Sequence, residues 1–372
     1  MRKTFKYRIF PNKSQAAKLN KTLDGCRWLY NRFLEERKNA WESEKKSISR
    51  YDHTNSIPGL KKEYEFLSNI FSQVLQEVAI RLDLAFRAFF RRVKHGETPG
   101  YPRFRGKFRY NSFTYPQAGF KLLKNVVQLS KIGGIKINLH RPVEGMIKTC
   151  TIRRSATGKW YVTFSCVIDY VPVKQLIEPT IGIDMGLESF TTLSDGSKVD
   201  NPRFFKEEQA EIDKVQRKFS KQTKGSKLHR KTRKVVARVY ERITWKRENF
   251  AHQESRKFVD KFNTIVVEDL SINNMQKNNF RCINKSISDV AWRQFLNFLE
   301  FKAEWAGKRT IKINPVFTSQ NCSRCGNRQK LKLSDRIYHC PCCSLSLNRD
   351  VNAAKNILGL GLQSLGIATE AA

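Results

Sequence analysis

The sequence predicts a multidomain α+β protein, with a mixed sheet carrying acids at its strand ends, an antiparallel barrel interrupted by helices, and a cysteine module. Three observations carry this prediction. Two β-branched apolar runs, Thr180-Ile181-Gly182-Ile183 and Thr264-Ile265-Val266-Val267, each lead straight into a carboxylate, Asp184 and Glu268. Between Val126 and Ile168, short alternating stretches recur with turn residues between them. Cys322-x-x-Cys325 and Cys340-x-x-Cys343 form two knuckles fourteen residues apart.

At 372 residues the chain is long enough for two or three domains. Its 70 Lys+Arg against 34 Asp+Glu give a formal charge of +36. Such a field binds polyanions, and nucleic acid is the expected partner. No basic amphipathic anchor and no apolar run of transmembrane length stands out, so no membrane partner is expected. The N terminus runs from Met1 to Lys6 directly into strand patterning, without a signal-peptide pattern. Nine cysteines in that setting point to a reducing compartment, the cytoplasm, and to metal ligation over disulfides.

Phe5, Tyr7 and Ile9 alternate with Lys6 and Arg8, so residues 3–9 read as a strand, ended by Pro11-Asn12. Leu19, Leu23, Cys26, Tyr30, Phe33 and Leu34 follow at helical spacing, and Trp28 lies off that stripe. After a polar segment, Val74, Val78, Leu82, Phe86, Phe89 and Phe90 mark a helix over about 71–93. These stripes read as core. Gln73, Gln76, Arg81 and Arg87 fall toward the exposed side, where contact with DNA competes with plain solvation.

Gly100 to Tyr110 alternates basic and aromatic residues, including Tyr101, Arg103, Phe104 and Arg105. Arginine neutralises phosphate and aromatic rings stack on bases, so the stretch reads as a nucleic-acid platform, with a basic surface loop as the plainer reading. Strands are expected over 126–129, 135–139, 147–152 and 160–168, with turns at Gly133-Gly134 and Thr157-Gly158. Residues 3–9 would complete this barrel, the helices within 14–94 would be an insertion, and 172–179 a linker.

Asp184 is followed closely by glycine, a pattern that alone is more often a turn, and Thr191 to Gly196 reads as a hairpin strand closed by Asp195-Gly196. Glu268 ends a second strand, and Asp350 opens the helical run that follows Asn348-Arg349. Three acids at element ends can converge on one sheet edge. Phosphodiester hydrolysis with two Mg²⁺ ions needs such hard oxygen ligands, few enough to leave room for water and phosphate. Between the first two acids, Lys214 to Lys234 contains ten Lys or Arg and no acid. With Arg217 and Lys218, this stretch reads as a phosphate-lined wall, broken at Gly225-Ser226. Val235, Val239, Ile243, Phe250, Phe258 and Phe262 are expected to pack on the sheet. Trp292 to Trp305 reads as a helix and Thr310 to Ile313 as a strand.

Four thiolates at Cys322, Cys325, Cys340 and Cys343 make a closed tetrahedral Zn²⁺ site, structural and not catalytic, with an iron–sulfur cluster as the alternative. Cys342 makes the second knuckle ambiguous, and two-residue spacing leaves it a spare thiol.

The three acid-bearing stretches resemble the RuvC nuclease core with its RNase H-like fold. The run Thr318 to Gly326, through Cys343 and on to Asn348-Arg349-Asp350-Val351-Asn352-Ala353-Ala354, resembles the C-terminal signature of the TnpB family, insertion-sequence nucleases related to compact type V CRISPR effectors. Phe5 to Pro11, Cys26 to Asn31, Gly100 to Phe104 and Trp245 to Phe250 are similar to other family stretches. The resemblance implies a wedge-like β-barrel (1–10 and 98–172) with an inserted helical recognition lobe (11–97). It implies a RuvC domain (173–317 and 348–372) interrupted by a zinc-ribbon, target-nucleic-acid module (318–347). Asp184, Glu268 and Asp350 match the catalytic, Mg²⁺-binding acids, the four cysteines match the zinc ligands, and Arg336 matches an arginine near the site. Ser344 and Asn348 depart from the glycine and aspartate common at their positions. The implied function is RNA-guided cleavage of double-stranded DNA beside a short motif, with a guide RNA and target DNA as partners, in a bacterial or archaeal cytoplasm at the nucleoid. A guided repressor with a decayed nuclease would lack one of the acids. A junction resolvase would need neither the N-terminal lobe nor the zinc module. A DNA-joining transposase would carry no defined RNA.

Overall fold

The computed structural model describes residues 1–272, 275, 280–332 and 335–367, and it separates into two compact units, Met1–Tyr170 and Val171 to the C terminus. In the first unit, strand β1 (Arg2–Phe10) is followed by four helices: α1 (Lys13–Glu44), α2 (Arg50–Glu63), α3 (Glu65–Ser68) and α4 (Ser72–Lys94). Six strands come next: β2 (Ser112–Tyr115), β3 (Phe120–Leu123), β4 (Val126–Leu129), β5 (Gly133–Asn138), β6 (Met146–Arg154) and β7 (Trp160–Val167). All seven strands join one antiparallel sheet in the order β2-β6-β7-β1-β5-β4-β3. The first strand of the chain is therefore central, and its alternation puts Phe5, Tyr7 and Ile9 on the face that packs into the core. Edge strands β2 and β3 share no ladder, but the Tyr115 and Phe120 rings lie 6.5 Å apart, so the sheet is nearly closed.

Helix α1 starts at a capping box, in which the Asn12 side chain accepts from Gln15 N (2.8 Å) and Gln15 Oε1 accepts from Asn12 N (3.0 Å). Its buried stripe, Leu19 to Leu34, shares one core with Val74, Val78 and Leu82 of α4 and with the inner face of the sheet. Several expectations change here. Gly133-Gly134 opens β5 and is not the turn before it. The polar segment after α1 holds α2, and β2 and β3 are additional strands. Phe90 is exposed, whereas Arg81 is half-buried and donates to Ser112 O and Thr114 Oγ1 (both 2.7 Å).

The second unit contains β8 (Thr180–Asp184), β9 (Ser189–Leu193), β10 (Lys198–Asp200), α5 (Phe204–Glu207), α6 (Gln209–Ser220), α7 (Lys227–Lys261) and β11 (Thr264–Glu268). It continues with α8 (Arg281–Val290), α9 (Trp292–Trp305), β12 (Arg309–Ile313), β13 (Ile337–His339), β14 (Ser346–Asn348) and α10 (Arg349–Ser364). The five-stranded sheet runs β10-β9-β8-β11-β12, with β8, β11 and β12 parallel and β9 and β10 antiparallel. The Asp195-Gly196 turn joins β9 to β10, while residues 185–188 join β8 to β9.

Strand alternation divides this sheet into two faces. Ile181, Ile183, Ile265 and Val267 pack with Phe258 of α7 and Phe295 and Leu299 of α9. The other phase, Gly182 and Val266, meets α10 through Leu358, Ile357 and Gly361. Helix α7 serves two cores. Phe250, Phe258 and Phe262 pack at the sheet, but Val239 and Ile243 cluster with Ile212 of α6, and Val235 is exposed.

Candidate active site and metal centre

The two strand-end acids follow from register. Ile183 pairs with Val267 in the parallel β8/β11 ladder, so the next residues, Asp184 and Glu268, leave adjacent strands side by side. They have the phase of Gly182 and Val266 and therefore share the face covered by α10. Gly182 is what lets that helix come close, because a Cβ there would stand 2.8 Å from Leu358 Cβ and nearer still to Ala354 O. Asp350 lies one turn before Ala354, in the first turn of α10. Asn348 caps this helix, its side chain accepting from Asp350 N (3.0 Å) and Val351 N (3.4 Å).

The three carboxylates are brought into one electrostatic neighbourhood. Burial, then the charges of Glu268 and Asp350, push the Asp184 carboxyl up to about 8, against the opposing pull of Arg349. Burial also raises Glu268, and a hydrogen bond from Thr318 Oγ1 to Glu268 Oε1 (2.6 Å) works the other way. Three acids coupled in this way fit divalent cations, since added positive charge restores the ionised forms.

Polar contacts that the sequence did not disclose hold this arrangement. Asn352 is fully buried, accepting from Ser323 N (2.9 Å) and donating to Asn321 O (2.8 Å). Asn356 donates to Thr318 O (2.8 Å), so α10 grips the segment that carries both Thr318 and the first cysteine knuckle. The Arg349 guanidinium donates to the carbonyls of Lys332 (3.1 Å) and Asp335 (3.3 Å). The only sign of these roles in the sequence is an asparagine at helical positions that would otherwise be apolar.

Among the described residues, the four cysteines are the group whose ligand atoms close to within 4.8 Å of one another. Cys322 and Cys343 sulfurs lie 3.6 Å apart, and Cys325 and Cys340 sulfurs 3.5 Å. A tetrahedral Zn²⁺ with Zn–S bonds of about 2.3 Å separates its sulfurs by about 3.8 Å, so the thiolates fit zinc. Cys342 stays outside the cluster and is exposed. The β13/β14 hairpin and the buried Tyr338, whose hydroxyl donates to Asn327 O (3.1 Å), make the small core beneath the sulfurs.

Candidate nucleic-acid residues divide between the units. In the first, Tyr101, Arg103, Phe104 and Arg105 are exposed on one loop. Tyr101 meets the Phe86 and Phe89 rings at 5.6 and 5.4 Å, and Asn31 Oδ1 accepts from Arg105 N at 2.7 Å. Gln76 is exposed, whereas Gln73 is half-buried and accepts from Ala118 N (3.1 Å). In the second, Arg217 and Lys218 are exposed on α6, and Arg336 pairs with Glu188 at 2.8 Å. No helix among the described residues is long and apolar enough to cross a membrane.

Three family profiles match: "Helix-turn-helix domain" over residues 1–46, "Probable transposase" of the IS605 OrfB type over 164–279, and "Cas12f1-like, TNB domain" over 292–357. Residues 1–46 fold as β1 and the single helix α1, without a helix-turn-helix. A Streptomyces pristinaespiralis protein whose name describes an RNA-guided DNA endonuclease is 35% identical over 370 residues, 97% of this chain and 90% of that one. The Escherichia coli K12 protein InsQ, similarly named, is 28% identical over 96% of this chain and 92% of its own. Among solved structures, the Cas12f1 chain of a complex with sgRNA and target DNA superposes with a TM-score of 0.58 at 16% identity, over 92% of this chain and 82% of that one. That likeness makes the fold Cas12-like. The chain belongs to the TnpB family of insertion-sequence proteins, to which these two relatives named RNA-guided DNA endonucleases are similar over nearly their whole length.

Proposed function

We propose that this chain is an RNA-guided endonuclease that cuts double-stranded DNA beside a short motif, using a RuvC-type site made of Asp184, Glu268 and Asp350. The observation that carries the reading is the register that sets Asp184 and Glu268 at the ends of adjacent parallel strands, on the face against which the helix opening at Asp350 packs. The mixed five-stranded sheet, with acids at the ends of adjacent parallel strands, agrees with an RNase H-like core.

In this reading Asp184, Glu268 and Asp350 would hold two Mg²⁺ ions, which would supply an activated water and charge stabilisation for the leaving 3′ oxygen. Thr318 fixes the orientation of Glu268 through its 2.6 Å hydrogen bond. The Asn348 cap fixes the first turn of α10 and with it Asp350. Asn352 and Asn356 keep the cysteine module seated on the same helix, and a zinc closed in by its four sulfurs would be structural. The guide RNA, its heteroduplex with the target strand and the displaced strand supply the anionic partners that +36 calls for. Base pairing reads the target sequence, and the protein reads only the adjacent motif, with Gln73 and Gln76 as candidate readers. Tyr101, Arg103, Phe104, Arg105, Arg217, Lys218 and Arg336 contact nucleic acid. The wedge (1–10 and 98–172), recognition lobe (11–97), nuclease domain (173–317 and 348–372) and zinc module (318–347) divide this work in a prokaryotic cytoplasm.

Sequencing the RNA that copurifies from the native locus tests the reading, followed by incubation with Mg²⁺ and a plasmid matching the variable end of that RNA. One RNA species and cutting only of the matched plasmid is the expected result. Guide-independent cutting, or the absence of any defined RNA, overturns it.

A further inference from the structure

A second site lies in the first unit, away from every residue given a role above. A cavity of about 670 Å³ opens between α1, the α3–α4 connection and the turn after β4. Its aromatic wall is Trp28, half-buried and fixed by the rings of Tyr64 (4.5 Å) and Phe66 (5.3 Å, edge-on). At the inner end Gly25 lets Ile70 pack directly against α1, since a Cβ there would strike the Ile70 side chain. Around it stand Lys18, Lys21, Arg27 and Lys131, with Asp24 the one acid. Arg27 Nε is shielded from solvent and has no hydrogen-bond acceptor, and the nearest carboxylate oxygen, on Asp24, is 3.7 Å away.

Flat aromatic walls bind planar rings, and cations grouped beside them bind phosphates. The volume is that of a small-ligand pocket, ample for one nucleotide. Asp24 refines the choice. A carboxylate among phosphate-binding cations repels the phosphates themselves, but it accepts hydrogen bonds from a base amino edge or a ribose 2′-hydroxyl. We infer that this pocket captures one unstacked nucleotide of the guide RNA, with the base against Trp28 and Phe66, the flanking phosphates on Lys18 and Lys21, and Asp24 accepting from the base edge or the 2′-hydroxyl. The inference rests on the RNA-guided reading above and adds a protein-read nucleotide outside the base-paired segment.

The test uses the ribonucleoprotein purified from the native locus, irradiated at short ultraviolet wavelength and digested for peptide–nucleotide adducts. A ribonucleotide adduct on the peptide carrying Trp28 or Phe66 is expected. In parallel, Lys18→Glu/Lys21→Glu, two exposed side chains whose reversal leaves the core intact, should weaken binding of the copurified RNA about tenfold at moderate salt. Trp28→Phe, which keeps a ring on the wall, should bind within about twofold of the parent. A deoxyribonucleotide adduct, seen only when target DNA is added, overturns the assignment to RNA. A wild-type complex that holds its RNA and cuts, with no adduct here and unchanged affinity in the double variant, overturns the pocket alone. A wild-type protein without a defined RNA overturns both this inference and the reading it rests on.

Discussion

Gly182→Ala tests how closely the proposed active site depends on the approach of α10 to the sheet. The added Cβ would stand 2.8 Å from Leu358 Cβ and from Leu358 N, and nearer still to Ala354 O. Carbon–carbon contact is comfortable at about 3.5–4.0 Å, so helix and strand must part by about 1 Å. Its neighbours are helix backbone and the root of a side chain, which do not rotate aside. Overpacking of this kind costs about 1–3 kcal/mol. The functional cost is larger, because Asp350 rides on the displaced helix while Asp184 rides on the strand, and a 1 Å misplacement of catalytic groups costs about 100-fold in rate. The assay is matched-plasmid cleavage under single-turnover conditions, beside a thermal melt and guide-RNA binding by the same preparation. Cleavage should fall about 100-fold, with RNA affinity unchanged. Gly359→Ala is the control on the same helix, since its Cβ would meet nothing within 4 Å, and it should stabilise by up to about 1 kcal/mol and cut normally. Gly182→Ala cutting within twofold of the parent would refute the argument that α10 is seated by that glycine.

Other outcomes follow from the same geometry. Thr318→Val removes the hydrogen bond that favours ionised Glu268, worth about 1–2 kcal/mol, so half-maximal cleavage should need about tenfold more Mg²⁺. An unchanged Mg²⁺ titration would contradict that role. Cys325→Ser should purify without its zinc, whereas Cys342→Ser should retain one ion per chain by elemental analysis, because only the former lies in the sulfur cluster. His53 is buried, stacked on Phe33 at 4.1 Å, and lowered to about 4, chiefly by burial and then by Arg37. At pH 7 and above both folded and unfolded chains hold it neutral. Between about pH 6.5 and pH 4 the unfolded chain gains a proton that the folded one resists, so stability falls by up to roughly 3 kcal/mol. The drop in unfolding midpoint from pH 7.5 to pH 5 should shrink in His53→Phe, and an equal drop would remove His53 as its source.

Much of the proposed site was legible in the sequence because its acids stand at element ends and its cysteines at knuckle spacing. A β-branched run that stops at Asp184 or Glu268 announces both a buried strand and the acid it delivers, and C-x₂-C spacing announces a thiolate site. The nearly closed sheet was legible as alternation, but not its order, since nothing local tells β1 that it will sit between β7 and β5. Strands β2 and β3 are four residues each, too short to establish a period. Helix α2 was hidden by Pro58 and a polar composition, being held instead by the Ser49–Asp52 capping box and by burial of Ile57 and Leu60. Arg81 lay toward the polar side in a helical projection, yet its guanidinium reaches the edge strand β2. Thr318, Asn352 and Asn356 were illegible for the same reason. Their partners lie about 30–50 residues away, and only the folded α10 brings them together.

The central claim is that Asp184, Glu268 and Asp350 cut what an RNA-guided complex binds. The most direct test compares wild type with Asp184→Ala on one matched plasmid, measuring guide-RNA affinity, target retention and Mg²⁺-dependent cleavage in the same preparation. The account predicts unchanged RNA affinity and target binding with cleavage abolished. Cleavage that survives in Asp184→Ala, or guide binding lost together with it, would contradict the account.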